Sequence, residues 1–236
     1  MKITIKEITK TNIKFTLNSN VSFANSLRRI LLGEIPGTAI DVVEIRENSS
    51  VLPDEMLAHR LGLVPLLYSG SLTPKSLCSC DSFCDECSIK FHLRKLNDTD
   101  SPISVTGQDL YTDRPGISVH NTLLLKLGPR QKLDITCIAI TDSPKKHVKY
   151  CPVTSISFNY DPRNKTRETH LWEEKDVKIE WPSINQSEEV EWDEVKEVEM
   201  NVECVEGMGK PKDILQQAIE IYKLKMTNIL DEVTSL

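Results

Sequence analysis

Cys78-Ser-Cys80-Asp-Ser-Phe-Cys84-Asp-Glu-Cys87 gathers four of the chain's seven cysteines into ten residues, as a C-x-C-x3-C-x2-C array. Four thiolates this close in sequence can enclose one soft metal ion, zinc in a closed tetrahedron above all. A closed tetrahedron leaves no position for water or substrate, so the array points to architecture rather than chemistry. Four thiolates around a divalent ion also leave two excess negative charges. Lys75 and Lys90 stand near enough to soften them, whereas Asp81, Asp85 and Glu86 have to face solvent. A metal-free acidic loop and an iron–sulfur site are the competing readings. The remaining cysteines, Cys137, Cys151 and Cys204, lie in apolar segments and read as small buried hydrophobes.

Outward from the array the pattern is strand-rich. Residues 88–93 alternate apolar and polar, 123–127 form a further strand, and 133–140 are nearly all apolar, as in a central strand. Upstream, 39–46 reads as a strand and 54–61 as a short helix closed by Gly62. The stretches 97–106 and 112–116 are turn-rich. Both chain ends then supply strand and helix. Ile3, Ile5 and Ile8, followed by Ile13, Phe15 and Leu17, give two strands joined at Thr11-Asn12. Ser22 caps a helix running to about Glu34, with Phe23, Leu27, Ile30 and Leu31 on one face; Pro36 and Gly37 end it.

Toward the other end, 153–160 is a strand and 161–194 a polar surface connection carrying all three tryptophans. Val198, Met200 and Val202 alternate with polar residues. Gly207 and Gly209 form a turn, and Pro211 sits just inside the last helix. In that helix, 212–233, the residues Leu215, Ala218, Tyr222, Met226, Ile229 and Val233 step by three or four, and Ile214, Ile221 and Leu224 add a second stripe. It is a rod roughly 33 Å long at 1.5 Å per residue. Apolar cover this broad packs on more than one side, so core packing and a subunit interface both fit. The order of elements suggests an α+β protein with a discontinuous domain interrupted by an insertion.

Composition narrows the function. The net charge of −6 argues against sequence-independent nucleic-acid binding by the chain as a whole, which needs a basic face. The amino terminus, Met1-Lys-Ile-Thr-Ile-Lys, has no signal-peptide core, and no stretch approaches the roughly 20 apolar residues of a membrane span. An intracellular, reducing setting is expected, in which Asn48-Ser-Ser50 and Asn164-Lys-Thr166 carry no sugar. Catalytic patterns are missing. His59, His92, His120, His147 and His170 form no H-E-x-x-H pair, there is no nucleophile elbow, and Gly207-Met-Gly-Lys210 lacks the rest of a phosphate loop. An enzyme is not expected. Arg28, Arg29, Arg60 and the lysines around His147 read as solvated charges or as contacts to another protein.

Specific strings carry a resemblance. Ala24-Asn-Ser-Leu-Arg-Arg29, Glu34-Ile-Pro36, Ala39-Ile-Asp41, and Asp54-Glu55 through Ala58-His-Arg-Leu-Gly-Leu-Val-Pro-Leu66 closely resemble the alpha-like subunits of cellular RNA polymerases. Lys145-Lys-His-Val-Lys-Tyr150 resembles that family's K-E-H-A-K-W segment with three changes, and Tyr160-Asp-Pro-Arg-Asn-Lys165 and Glu180-Trp-Pro182 continue the match. The four-cysteine loop looks like that of the third-largest subunit of eukaryotic RNA polymerase II. Archaeal counterparts share the strings but arrange their cysteines differently, and this chain stops at its last helix where the eukaryotic subunit has a longer tail. An archaeal alpha-like subunit and a free-standing zinc-binding nucleic-acid module are the alternatives.

The resemblance implies a dimerisation domain made of 1–37 and 153–236, with 38–152 inserted as a strand-rich zinc-binding domain. It implies a non-catalytic assembly subunit in the nucleus that pairs with a smaller alpha-like subunit. That platform would contact the two largest catalytic subunits and small zinc-binding subunits, and reach DNA only indirectly. Cys78, Cys80, Cys84 and Cys87 would hold one structural zinc ion. Asn25, Ser26, Leu27, Arg28 and Arg29 match the assembly motif, His59 and Arg60 would lie near the large subunits, and Leu215, Ala218, Tyr222, Met226 and Ile229 would face the smaller partner.

Overall fold

The two ends of the chain meet in one sheet. The computed structural model describes residues 2–159 and 197–235; the tryptophan-bearing stretch 161–194 and the strings at 160–165 and 180–182 lie outside these residues. Strand β1 (Lys2–Ile8) turns back into β2 (Asn12–Asn18) through residues 9–11, so Asn12, expected in the turn, already belongs to β2. Near the other end, β10 (Val153–Asn159) pairs with β11 (Val198–Cys204), and β11 pairs with β2. The antiparallel order is β1-β2-β11-β10.

Hydrophobic alternation sets this register. Leu17 lies opposite Val198, Phe15 opposite Met200 and Ile13 opposite Val202, and all six side chains are buried. A slip of one residue would turn one row to solvent while its neighbour stayed inside. On the opposite face Lys6 and Lys14 converge on Glu199, at 3.4 and 3.1 Å.

Two helices cover the apolar face. Helix α1 (Val21–Gly33) contributes Ala24, Leu27, Ile30 and Leu31 to the core. Its cap is Asn20 rather than Ser22: Asn20 is extended, and its side-chain oxygen accepts from the Phe23 amide at 2.9 Å. Asparagine and serine cap equally well, so backbone geometry decides between them.

The strand-rich middle builds a second core. Its five-stranded sheet runs β5-β9-β3-β4-β7, from Ser88–Leu96, Lys132–Asp142, Gly37–Asn48, Leu66–Tyr68 and Ile117–Val119 respectively. Helix α2 (Asp54–Gly62) packs Leu57 and Leu61 beside Phe91, Leu93 and Ile135. A ribbon of β6 (Ile103–Thr106) and β8 (Leu123–Leu127) closes the same core. Strand β9 is an interior strand between β5 and β3 and is buried along most of its length, as its apolar run implied. The turn-rich reading of 97–106 missed β6, because a buried Asn97 organises that turn. Its amide donates to the Ser101 and Leu127 carbonyls, at 2.9 and 3.0 Å. Cys137 is also fully buried, and that burial pushes its thiol up to about 12.

The last helix, α3 (Pro211–Thr234), starts with Pro211 at its first position and returns to the first sheet, where Ile214, Leu215 and Ala218 join the core. Where the two cores adjoin, the chain passes through a tight crossing. A Cβ on Gly37 would lie 2.0 Å from the Tyr150 carbonyl oxygen and 3.2 Å from the Met208 methyl. Just before it, Glu34 accepts from Lys145 at 3.1 Å and from Lys225 of α3 at 2.6 Å. Burial alone would raise the Glu34 pKa, but the two ammonium groups outweigh it and hold the carboxyl below its usual range.

Two outcomes follow at the crossing. Gly37→Ala forces backbone apart and should lower stability by about 1–3 kcal/mol in urea unfolding, the usual effect of overpacking. Because the Glu34 pKa is lowered on folding, its contribution is present above the ordinary carboxylate range and is lost as pH falls through the lowered value. Wild type should therefore exceed Glu34→Gln in stability near neutral pH, and the difference should shrink on acidification in pH-resolved melting.

Candidate metal centre and interaction face

The four cysteines of the array come together. Their sulfurs all lie within 4.8 Å of one another. Cys78 is 3.3 Å from Cys80 and 3.6 Å from Cys84, while Cys87 is 3.6 Å from both Cys80 and Cys84. Zinc–sulfur bonds of about 2.3 Å in a tetrahedron give sulfur–sulfur edges of about 3.8 Å, so the donors fit one ion. A cluster of several irons and sulfides would push the thiolates wider.

Local backbone makes this geometry. After Pro74, a single 3-10 turn at Lys75–Leu77 ends with the Cys78 amide donating to the Lys75 carbonyl, at 3.3 Å. In the second half the Cys84 carbonyl accepts from the Cys87 and Ser88 amides, at 3.2 and 2.9 Å, and the Ser88 hydroxyl adds a third bond at 2.9 Å. Cys87 is buried at the base, where β5 begins, while Asp81, Asp85 and Glu86 all face solvent. Lys75 supplies a cation; its ammonium donates to the Cys80 carbonyl at 2.8 Å and to the Cys80 sulfur at 3.0 Å. That contact holds the Cys80 thiol down to about 6. Lys90 is exposed on β5.

A second cation reaches the loop from a distant segment. Arg114 donates to the Ser88 carbonyl at 3.1 Å and to the Asp85 carbonyl, and its Nε donates to the Tyr68 hydroxyl at 3.0 Å. Nothing in the sequence spacing marked Arg114.

The residues expected to meet a partner divide into two groups. Leu215 and Ala218 are inside the chain's own core, as is Leu27 of α1. Tyr222 is half-buried, edge-on to Phe23 with ring centres 4.9 Å apart. Beyond it the helix leaves the sheet, and Leu224, Met226, Ile229, Leu230 and Val233 are 44–61% exposed. On α1, the Asn25 side-chain oxygen accepts from Nε and Nη2 of Arg28 at 3.2 and 2.8 Å, Ser26 donates to the Ser22 carbonyl at 2.9 Å, and Arg29 is exposed.

His59 and Arg60 lie at the end of α2. Arg60 donates to the Leu123 carbonyl at 2.7 Å. His59 lines a cavity of about 230 Å³ with Leu63, Asp41, His147 and Lys149, so the strings at 58–66 and 145–150 meet on one surface. Lys149 bridges them to β3 through Asp41, at 2.7 Å. Among the described residues no second cluster of metal-ligating side chains forms, and no helix is long and apolar enough to cross a membrane.

Comparison with known proteins places this arrangement. The DNA-directed RNA polymerase II subunit RPB3 of Schizosaccharomyces pombe is 33% identical to it, over 98% of this chain and 86% of that protein. The DNA-directed RNA polymerases II, IV and V subunit 3 of Arabidopsis thaliana is 37% identical, over 68% of this chain and 57% of its own length. An archaeal relative, the DNA-directed RNA polymerase subunit Rpo3 of Methanothermobacter thermautotrophicus, is 36% identical over 69% and 63%. Residues 15–226 match the family described as RNA polymerase Rpb3/Rpb11 dimerisation domain. A sheet closed by both chain ends, under a helix that outruns its own core, is thus the arrangement of a chain that belongs to the Rpb3/Rpb11 dimerisation family of RNA polymerase subunits.

Proposed function

We propose that this chain is a non-catalytic subunit of nuclear RNA polymerase II, an assembly platform that pairs with a smaller alpha-like subunit. The dimerisation unit is 1–37 with 153–236, and 38–152 is an insertion stabilised by one zinc ion on Cys78, Cys80, Cys84 and Cys87. One observation carries the reading: the second half of α3 presents Leu224, Met226, Ile229, Leu230 and Val233 to solvent beside the sheet of a dimerisation family member. Water is a poor partner for so continuous an apolar strip. The smaller subunit would cover it, with Tyr222 at its margin and Leu215 and Ala218 anchoring the helix from within.

The Asn25–Arg29 turn and the His59–Arg60 surface would meet the two largest subunits and the small zinc-binding subunits. Charged and hydrogen-bonding groups of this kind set register between partners more than they set affinity. Zinc here supplies cross-linking of the loop, and the residues it needs are all from this chain. Contact with DNA is indirect, through the large subunits.

Co-expression with the smaller alpha-like subunit from the same source, followed by native mass spectrometry, should give a one-to-one complex carrying one zinc ion. A monodisperse monomer whose 224–233 segment is already protected from hydrogen exchange would refute the pairing. Ile229→Asp and Leu230→Asp should each weaken the complex by more than about 2 kcal/mol. Both should shift the lone chain's unfolding by no more than about 0.5 kcal/mol, since the sites are exposed. Cys87→Ser should lose the zinc and raise hydrogen exchange in β5 and β9, while β2 and β11 keep their protection.

A further inference from the structure

The metal loop is gripped from both sides by cations, of which the sequence pattern marked Lys75 but not Arg114. Lys75 holds the C-x-C half, with its ammonium on the carbonyl and the sulfur of Cys80, and it also lies 5.7 Å from the centre of the Phe83 ring. Arg114 holds the C-x2-C half, through the carbonyls of Asp85 and Ser88. These two residues flank Glu86 and Cys87, so Arg114 fixes the backbone from which the buried ligand projects. Two cations stand against the two excess negative charges of a zinc ion with four thiolates.

The segment that presents Arg114 is itself built to stay in place. The Arg114 amide donates to the Thr112 hydroxyl at 3.3 Å. Gly116, at φ +80, turns its carbonyl to the Ser69 amide and hydroxyl, both at 3.0 Å. A left-handed φ of this kind is open to glycine with little cost. The guanidinium sits 5.2 Å from the Tyr68 ring centre and bonds the Tyr68 hydroxyl through Nε. Tyr68 in turn ends β4, which pairs with β7. Arg114 therefore joins the knuckle of the metal loop to the edge of the five-stranded sheet.

We infer that Arg114 is a positioning residue for the metal centre, orienting the Cys84–Cys87 half and coupling it to β4 and β7, with Lys75 as its counterpart on the Cys78–Cys80 half. A planar fork reaching three acceptors is the property at work, and lysine does not reproduce it. Groups behind the ligands of a metal site commonly alter metal retention by 10–100-fold when removed. This inference rests on the zinc reading above.

The test is zinc release from the full chain, co-purified with its smaller partner, into a chromogenic chelator. Arg114→Ala should release zinc at least about tenfold faster than wild type. Arg114→Lys, which keeps the charge and protects against a folding failure of the alanine variant, should stay close to the faster rate. In cobalt-loaded protein, Lys75→Met should move the thiolate-to-metal absorption band, because Cys80 loses its donor, while a four-thiolate spectrum persists. A wild-type release rate in Arg114→Ala, or full recovery in Arg114→Lys, overturns the role of Arg114. An unmoved cobalt band overturns that of Lys75. A wild-type chain that takes up no zinc sinks the metal reading together with this inference, whereas a zinc-loaded wild type matched by its variants sinks this inference alone.

Discussion

The pairing of β2 with β11 is the constraint from which the rest of the architecture follows. It joins Leu17 to Val198 and Ile13 to Val202, residues at opposite ends of the chain. A long closed loop costs chain entropy, although that cost grows only slowly with length. Here the intervening chain lowers it further. The five-stranded sheet of the middle segment begins its strand β3 at Gly37 and ends its strand β9 at Asp142, and those two residues are register partners. Once the second core forms, its two exits already lie side by side, and the ends have little distance left to close.

From that sheet the division of α3 follows. A four-stranded sheet with one apolar face offers room for α1 and for the first turns of a second helix. Ile214, Leu215 and Ala218 use that room, and Phe23 meets Tyr222 where it runs out. The remainder of the helix stays apolar in sequence but has no sheet beneath it. Its own chain holds it there through Lys225 on Glu34, an ion pair at the end of α1. The same carboxylate that ties α3 to the end of α1 also bonds Lys145, which follows β9 of the second core.

Much of this was legible in the sequence wherever the signal is local. Alternation at Ile13–Leu17 and Val198–Val202 gave the strands, Pro211 the start of the last helix, and the spacing of Cys78–Cys87 the convergence of four sulfurs. Periodicity could not divide α3, because a buried apolar stripe and an exposed one have the same 3.6-residue repeat. It could not choose Asn20 over Ser22, since both residues make good caps. Arg114 and the meeting of His59 with His147 were invisible for another reason. Each contact spans tens of residues, and only the folded sheet brings its members together.

The narrow waist at Gly37 and Tyr150 has a broader meaning for how such a chain can change. Among the described residues in 2–159 the chain passes between the two cores at 34–37 and again at 143–152, and at Gly37 the first passage presses on the Tyr150 carbonyl of the second. A change of length in a loop of the second core away from this waist need not disturb the pairing of β2 with β11.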